Sequence, residues 1–242
     1  MTTLLYALEP QIEETMKNKI ILLVASGFFA GLMVAPFLSS DAAAEQPKVI
    51  AIDIPGLHEA GGSGWYDKVY AKAGIKLTLL PAARAFIEFD ACPNCCITPA
   101  NKNPEFYTYT TASYIESKPI NVAKIYIWSA PGKPVETNLK ALVGKKVAAR
   151  IGFPYGRSVE NSGVKLDLVP NLEQNVKRLE LGRIDYMIDY TPDTLNELKT
   201  LGHPETYLPY APEAPVAVHN DAMLCKSAPE TIKLIETFDA SF

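Results

Sequence analysis

Apolar residues alternate with polar ones along residues 48–54 (Lys-Val-Ile-Ala-Ile-Asp-Ile) and again along 122–128, the period-two pattern of half-buried strands. Shorter apolar runs at 75–80, 95–98, 145–150, 164–169, 184–188 and 215–219 also read as strands. Between them lie helical stretches at 65–73, 82–89, 138–143, 171–181, 191–201 and 228–238. Breakers punctuate this order: Pro55-Gly56, the loop Gly61-Gly62-Ser63-Gly64, Gly74, and Gly152-Phe153-Pro154-Tyr155-Gly156. Pro81 precedes the second helix, where proline suits a first turn. Repeated strand–helix alternation predicts α/β architecture with parallel sheets, and the break at Ser129-Ala130-Pro131-Gly132 predicts two of them.

The N-terminal part follows a different rule. Met16-Lys17-Asn18-Lys19 leads into an apolar run over 20–38, and Ala42-Ala43-Ala44 supplies an A-x-A cleavage site before Glu45. Residues 1–44 therefore read as an N-terminal extension and secretory signal, starting at Met16 and cleaved after Ala44. Glu9, Glu13 and Glu14 form an acidic front that such signals avoid, so residues 1–15 are not expected in the product. An uncleaved membrane anchor is disfavoured by Gly27, Gly31 and Pro36 within the run.

Charge and composition narrow the partners. The 242 residues carry 23 basic and 27 acidic side chains, net −4; without 1–44 the balance is 21 to 23. That near-neutrality excludes a basic nucleic-acid surface and steering to polyanions. A P-loop, a G-x-G-x-x-G turn and a Ser-His-Asp spacing are absent from the sequence.

Three stretches then bear on kinship: Leu80-Pro81-Ala82-Ala83-Arg84-Ala85, Leu142-Val143-Gly144-Lys145-Lys146-Val147, and Leu181-Gly182-Arg183-Ile184-Asp185-Tyr186-Met187-Ile188-Asp189. In this order and spacing the chain resembles a type 2 periplasmic solute-binding protein of the amino-acid-binding branch, the receptors of ABC transporters. The resemblance implies two α/β lobes around a ligand cleft, lobe I at 45–130 plus 215–242 and lobe II at 131–214. Hinge crossings would fall near 125–131 and 211–216. It further implies a periplasmic, monomeric receptor without catalysis or cofactor, handing a small polar solute, amino-acid-like or amine-bearing, to an inner-membrane permease. An enzyme on the same fold, of the cyclohexadienyl dehydratase kind, is the alternative, followed by an orphan sensor or redox-accessory protein. Catalysis would need an acid–base pair, and only Asp189 offers itself.

The resemblance also nominates ligand residues. Aligned on the family's pattern, Phe106 stands where an arginine grips the α-carboxylate, and a phenyl ring cannot make that bidentate contact. Asn101 and Lys102 lie in the same loop, with Lys102 a weak substitute. Asp189, before Tyr190-Thr191-Pro192, matches the aspartate that fixes an α-amino group; a helix cap is the competing reading. Arg150 holds the place of a basic ligand residue, and Tyr155 and Arg157 flank a helix start whose N–H groups favour anions. Arg84 and Trp65 complete the set. Phe106, Trp65 and Asp189 together suit a cationic ligand.

Four cysteines, Cys92, Cys95, Cys96 and Cys225, are an even number in an exported chain and favour disulfides over metal. One CxxC without ligating histidines is weak for zinc. Bridging the neighbours Cys95 and Cys96 is strained, which leaves Cys92–Cys95 with Cys96–Cys225, or Cys92–Cys96 with Cys95–Cys225.

Overall fold

Val49–Ile52 (β1) are buried at all four positions, as a parallel strand covered on both faces must be. The computed structural model describes residues 46–108 and 113–242; the signal and cleavage site read in 1–44 lie outside the described residues. β1 pairs in parallel with β2 (Leu77–Leu80) on one side and β3 (Cys96–Ala100) on the other. The crossovers are α1 (Trp65–Lys72) and α2 (Ala82–Ala91), the latter entered directly from Pro81.

After the short strand β4 (Tyr114–Glu116) comes β5 (Asn121–Ser129), which serves two sheets. Its first half pairs antiparallel with the last strand, β9 (Ala217–Lys226), through Asn121↔Asp221 to Ile125↔Ala217. Its second half pairs antiparallel with β8 (Tyr186–Thr191), from Lys124↔Thr191 to Ser129↔Tyr186. β9 divides likewise: 217–221 lie on β5, and 222–225 lie on β3, with β4 added along the same stretch. Beyond β8 the sheet runs parallel into β6 (Val147–Arg150) and β7 (Leu166–Val169). The order is β2-β1-β3-β9-β5-β8-β6-β7. Helices α3 (Arg157–Glu160), α4 (Leu172–Glu180), α5 (Asp193–Thr200) and α6 (Pro229–Asp239) complete two α/β lobes joined through β5 and β9.

α4 shows why such a segment becomes helix. Asn171 caps it by accepting the Gln174 N–H at 2.9 Å, and Leu172, Val176 and Leu179 form one buried face. That face meets Trp128, Met187 and Leu198 in the second lobe's core. The larger core gathers around β1, β3 and β9 and includes Tyr66, Tyr70, Phe89 and Phe238. The lobes touch closely: Gly152, at φ 81°, lies so near α2 that a Cβ there would fall 2.4 Å from the Ala83 nitrogen.

Among the boundaries that differ from the sequence reading, three have a clear physical cause. The first strand ends at Ile52, because Ile54 turns back to bridge His58. The helix expected from Thr191 starts at Asp193, since Thr191 is still paired in β8 and Pro192 is the N-cap. The late strand expected over 215–219 is the ten-residue β9; its polar stretch His219-Asn220-Asp221 hid the continuation.

The disulfides are Cys92–Cys95, closing the turn after α2, and Cys96–Cys225, joining directly paired residues of β3 and β9. Cys96–Cys225 spans 129 residues and Cys92–Cys95 only 3. Chain-entropy reasoning assigns about 5 kcal/mol to the long loop and about 2 kcal/mol to the short one. Urea titration of the double variant C96A/C225A should therefore show a loss at least twice that of C92A/C95A. Equal losses would contradict a restraint that acts through loop length.

Candidate functional site

Arg150 ends β6 beside the end of β8, and the parallel pairing of those strands brings its side chain to Asp189. Both are buried, at 2% and 0% exposure. Arg150 Nε donates to the two Asp189 oxygens at 3.0 Å each, and Nη2 donates to Asp189 Oδ1 at 2.5 Å and to Asp193 Oδ2 at 2.6 Å. The Phe153 ring lies under the guanidinium, its centroid 3.7 Å from Cζ. The Arg150 backbone N–H donates to the Tyr155 hydroxyl at 2.7 Å, and the Tyr190 N–H to Asp189 Oδ1 at 2.7 Å. A dehydrated ion costs several kcal/mol unless geometry and hydrogen bonds compensate, and this fork supplies both. Burial pulls the Arg150 pKa down, but the Asp189 and Asp193 carboxylates outweigh it, and the group is held above its ordinary value. Burial likewise pushes the Asp193 carboxyl up to about 6 against the pull of Arg150.

A second buried group forms on β9. His219 Nδ1 lies 2.7 Å from Asp221 Oδ1, and only a protonated Nδ1 can donate to that carboxylate. Nε2 is then the acceptor, taking bonds from Asn101 Nδ2 at 3.1 Å and the Tyr107 hydroxyl at 3.0 Å. Asp221 Oδ2 also accepts from the Tyr66 hydroxyl. Burial first, and then the Asp221 charge, drive the Tyr66 pKa far above the usual phenol range. Behind it, His58 Nδ1 is 2.7 Å from Asp67 Oδ1, and burial lowers the His58 pKa despite that neighbour.

Between the two groups lies a cavity bounded by both lobes. Ile52, Ile54, Leu57 and Tyr107 wall it on one side and Phe153 and Tyr190 on the other; its polar lining is Asp193, His219 and Asp221. The room inside is about 20 Å³ for the centre of a water-sized sphere, enough for one or two waters. Aromatic walls with a few convergent polar atoms are the ordinary make-up of a small-molecule site.

The nominated residues divide by position. Asp189, Arg150 and Tyr155 come together as described, with Asp189 gripping Arg150 and not capping a helix. Phe106 is buried edge-on to His219, centroids 4.8 Å apart, and Asn101 anchors His219 from the same loop. Trp65 is 47% exposed at the start of α1, and Arg84 and Arg157 are exposed; none of the three lines the cavity. The helix start at Gly156 is already taken, since Glu105 accepts the Arg157 N–H with its carbonyl and the Ser158 N–H with its carboxylate, both at 2.8 Å. His219, Asp221, Asp193 and Tyr107 escaped the sequence reading. The signal for two of them was there, because a buried strand interrupted by His-Asn-Asp must satisfy those groups inside. Among the described residues, no group of three or more His, Cys, Asp or Glu side chains is placed to hold a metal ion.

Comparison with family models and with curated proteins returns no match. Solved structures do match. The GluR0 ligand-binding core in complex with L-glutamate superposes at TM-score 0.64 with 15% identity, over 82% of this chain and 91% of that one. The fold is that of a two-lobe solute-binding protein. Holo ArgBP from T. maritima (TM-score 0.58, 15% identity, 81% of this chain and 87% of that one) is a further neighbour. So is ArtJ, the arginine-, lysine-, histidine-binding protein of Geobacillus stearothermophilus (0.58, 17%, 81% and 87%). These neighbours are binding proteins by name, and at such identities the likeness is one of fold.

The raised Asp193 pKa fixes the sign of a pH effect. Its folded value of about 6 exceeds the ordinary 3.8, so the stabilisation it lends is full below about pH 4 and lost as pH rises to 6. The shift corresponds to about 3 kcal/mol. Measured by denaturation from pH 4 to 7, Asp193→Asn should gain on the wild type by up to that amount across this window. A flat difference would show that the folded protein does not raise the Asp193 pKa above its ordinary value.

Proposed function

We propose that the chain is a periplasmic solute-binding receptor that closes its two lobes on a small amine-bearing solute and presents it to an ABC permease. Residues 1–44 act as its export signal, 45–130 with 215–242 form lobe I, and 131–214 form lobe II. The hinge lies where β5 exchanges partners at Ile125 and the Val216 N–H reaches the Ile125 carbonyl at 2.8 Å. The observation that carries the reading is the cavity itself, walled from both lobes by aromatic rings, with the aspartates Asp193 and Asp221 in its lining. Carboxylates and ring faces attract an ammonium, while Phe106 offers no grip for a carboxylate. The named ligands of the neighbours, among them arginine and glutamate, support small-solute capture in general. Capture requires the lobes to part, since the closed cavity admits only water-sized occupants. The receptor works as a monomer and needs neither cofactor nor catalysis.

A thermal-shift panel of diamines, quaternary amines, amino acids, organic acids and sugars tests this on residues 45–242. A ligand at about a thousand times its Kd adds roughly 4 kcal/mol, several degrees in Tm. Amines should give the largest shift. A response confined to acids or sugars would overturn the amine class, and a flat panel from folded protein would overturn the receptor.

A further inference from the structure

A fully dehydrated arginine is an unusual neighbour for a solute site, and its surroundings say what it does there. Arg150 is held edge-on by two oxygens of Asp189 and one of Asp193, and face-on by Phe153. Asp193 and Phe153 also line the interlobe cavity, so the pocket that encloses the guanidinium and the cavity share two walls. Two carboxylates on its N–H groups and a ring against its face are what a free guanidinium would need for tight recognition. The chain meets that need from its own sequence. Glu105 does the same with opposite charge across the cleft, where its carboxylate takes the Ser158 N–H.

We infer that Arg150 is an internal ligand that sets selectivity: its guanidinium fills a seat on Asp189 and Asp193 and shuts guanidino solutes out of the cleft. The inference rests on the receptor reading above and sharpens it. The solute that binds the wild type meets only the outer edge of Asp193 and Asp221, which suits a compact ammonium. The fork on Asp189 is spent on Arg150. Taking the guanidinium away leaves two buried carboxylates and an open seat, separated from the cavity by the walls they share, Asp193 and Phe153. A solute carrying a guanidinium on a short alkyl chain then fits with its head on the aspartates and, past those walls, its tail between Tyr107 and Tyr190.

Titration calorimetry with guanidinium chloride, agmatine and putrescine, on the wild type and Arg150→Ala, separates the possibilities. The variant is purified in guanidinium chloride and dialysed before use. The expected result is agmatine binding at least tenfold tighter in R150A than in the wild type. In the variant, agmatine should also bind at least tenfold tighter than guanidinium, because the tail reaches the cleft. Equal binding of agmatine and guanidinium would overturn the inference, since the pocket would be a sealed structural void. Absence of any gain in agmatine affinity would overturn it too. Arg150→Lys keeps a buried cation and the fold while giving up the fork, so it covers the case where R150A does not fold. Agmatine should bind R150K measurably better than the wild type, and no gain there counts against the inference. Failure of the receptor reading shows separately, as a wild type that ignores putrescine and every other amine.

Discussion

β5 and β9 each hydrogen-bond into both halves of the sheet, and the position of the cleft follows from that sharing. A strand that changes partners midway must bury its middle residues on both faces while its backbone groups stay paired. In β5 the change falls at Ile125, and in β9 between Asp221 and Ala222. Side chains at these points project where the two sheets meet. His219 and Asp221 are therefore inside because β9 cannot reach both β5 and β3 without carrying them there. The long disulfide ties the far half of β9 to β3, so motion of one lobe against the other is referred to the near half. The ends of the parallel strands β6 and β8 face the same crevice, the usual place for ligand chemistry in α/β sheets.

Electrostatics in that crevice is a matter of completed sets. Asp189 and Asp193 share Arg150, Asp221 is satisfied by His219 and Tyr66, and Asp67 by His58 and two backbone N–H groups. Four buried carboxylates, Asp67, Asp189, Asp193 and Asp221, lie about one buried guanidinium. That excess of negative charge is what burial resists, and the upward displacement of the Asp193 carboxyl is its local sign. A cation arriving in the cavity relieves the excess, whereas an anion would add to it.

Much of the fold was legible in the sequence because its strands and helices obey simple periods and end at Pro or Gly. The parallel units β1-α1-β2 and α4-β8 fell within a few residues of their places. β4 and the second half of β9 were not legible, since three residues are too few to show a period and His-Asn-Asp resembles a turn. The cysteine spacing left two pairings open; the β3–β9 register, which places Cys96 opposite Cys225, selects one. In the site, Arg150, Asp189 and Tyr155 could be nominated singly, but that the arginine and aspartate would take each other depends on the β6–β8 pairing. Trp65, Arg84 and Arg157 illustrate the opposite limit, where residue type suggested a ligand role and position in the helix turned the side chain to solvent.

Shared architecture at 15–17% identity carries the lobes, the crossing strands and the cleft, yet the groups that meet a solute are few enough to be exchanged wholesale. Here the charged positions at the cleft margins are spent within the chain, Arg150 on two aspartates and Glu105 on the start of α3. What remains between them is an aromatic chamber edged by carboxylates and His219. In the receptor proposed above, such a chamber would reward shape and a single positive charge more than the paired charges of an amino acid. Because the Arg150 pair is buried and multiply hydrogen-bonded, a solute that wanted those aspartates would have to break bonds as good as the ones it makes. Self-pairing of this kind is thus a specificity device, acting by making the wrong exchange unprofitable and leaving the fold untouched.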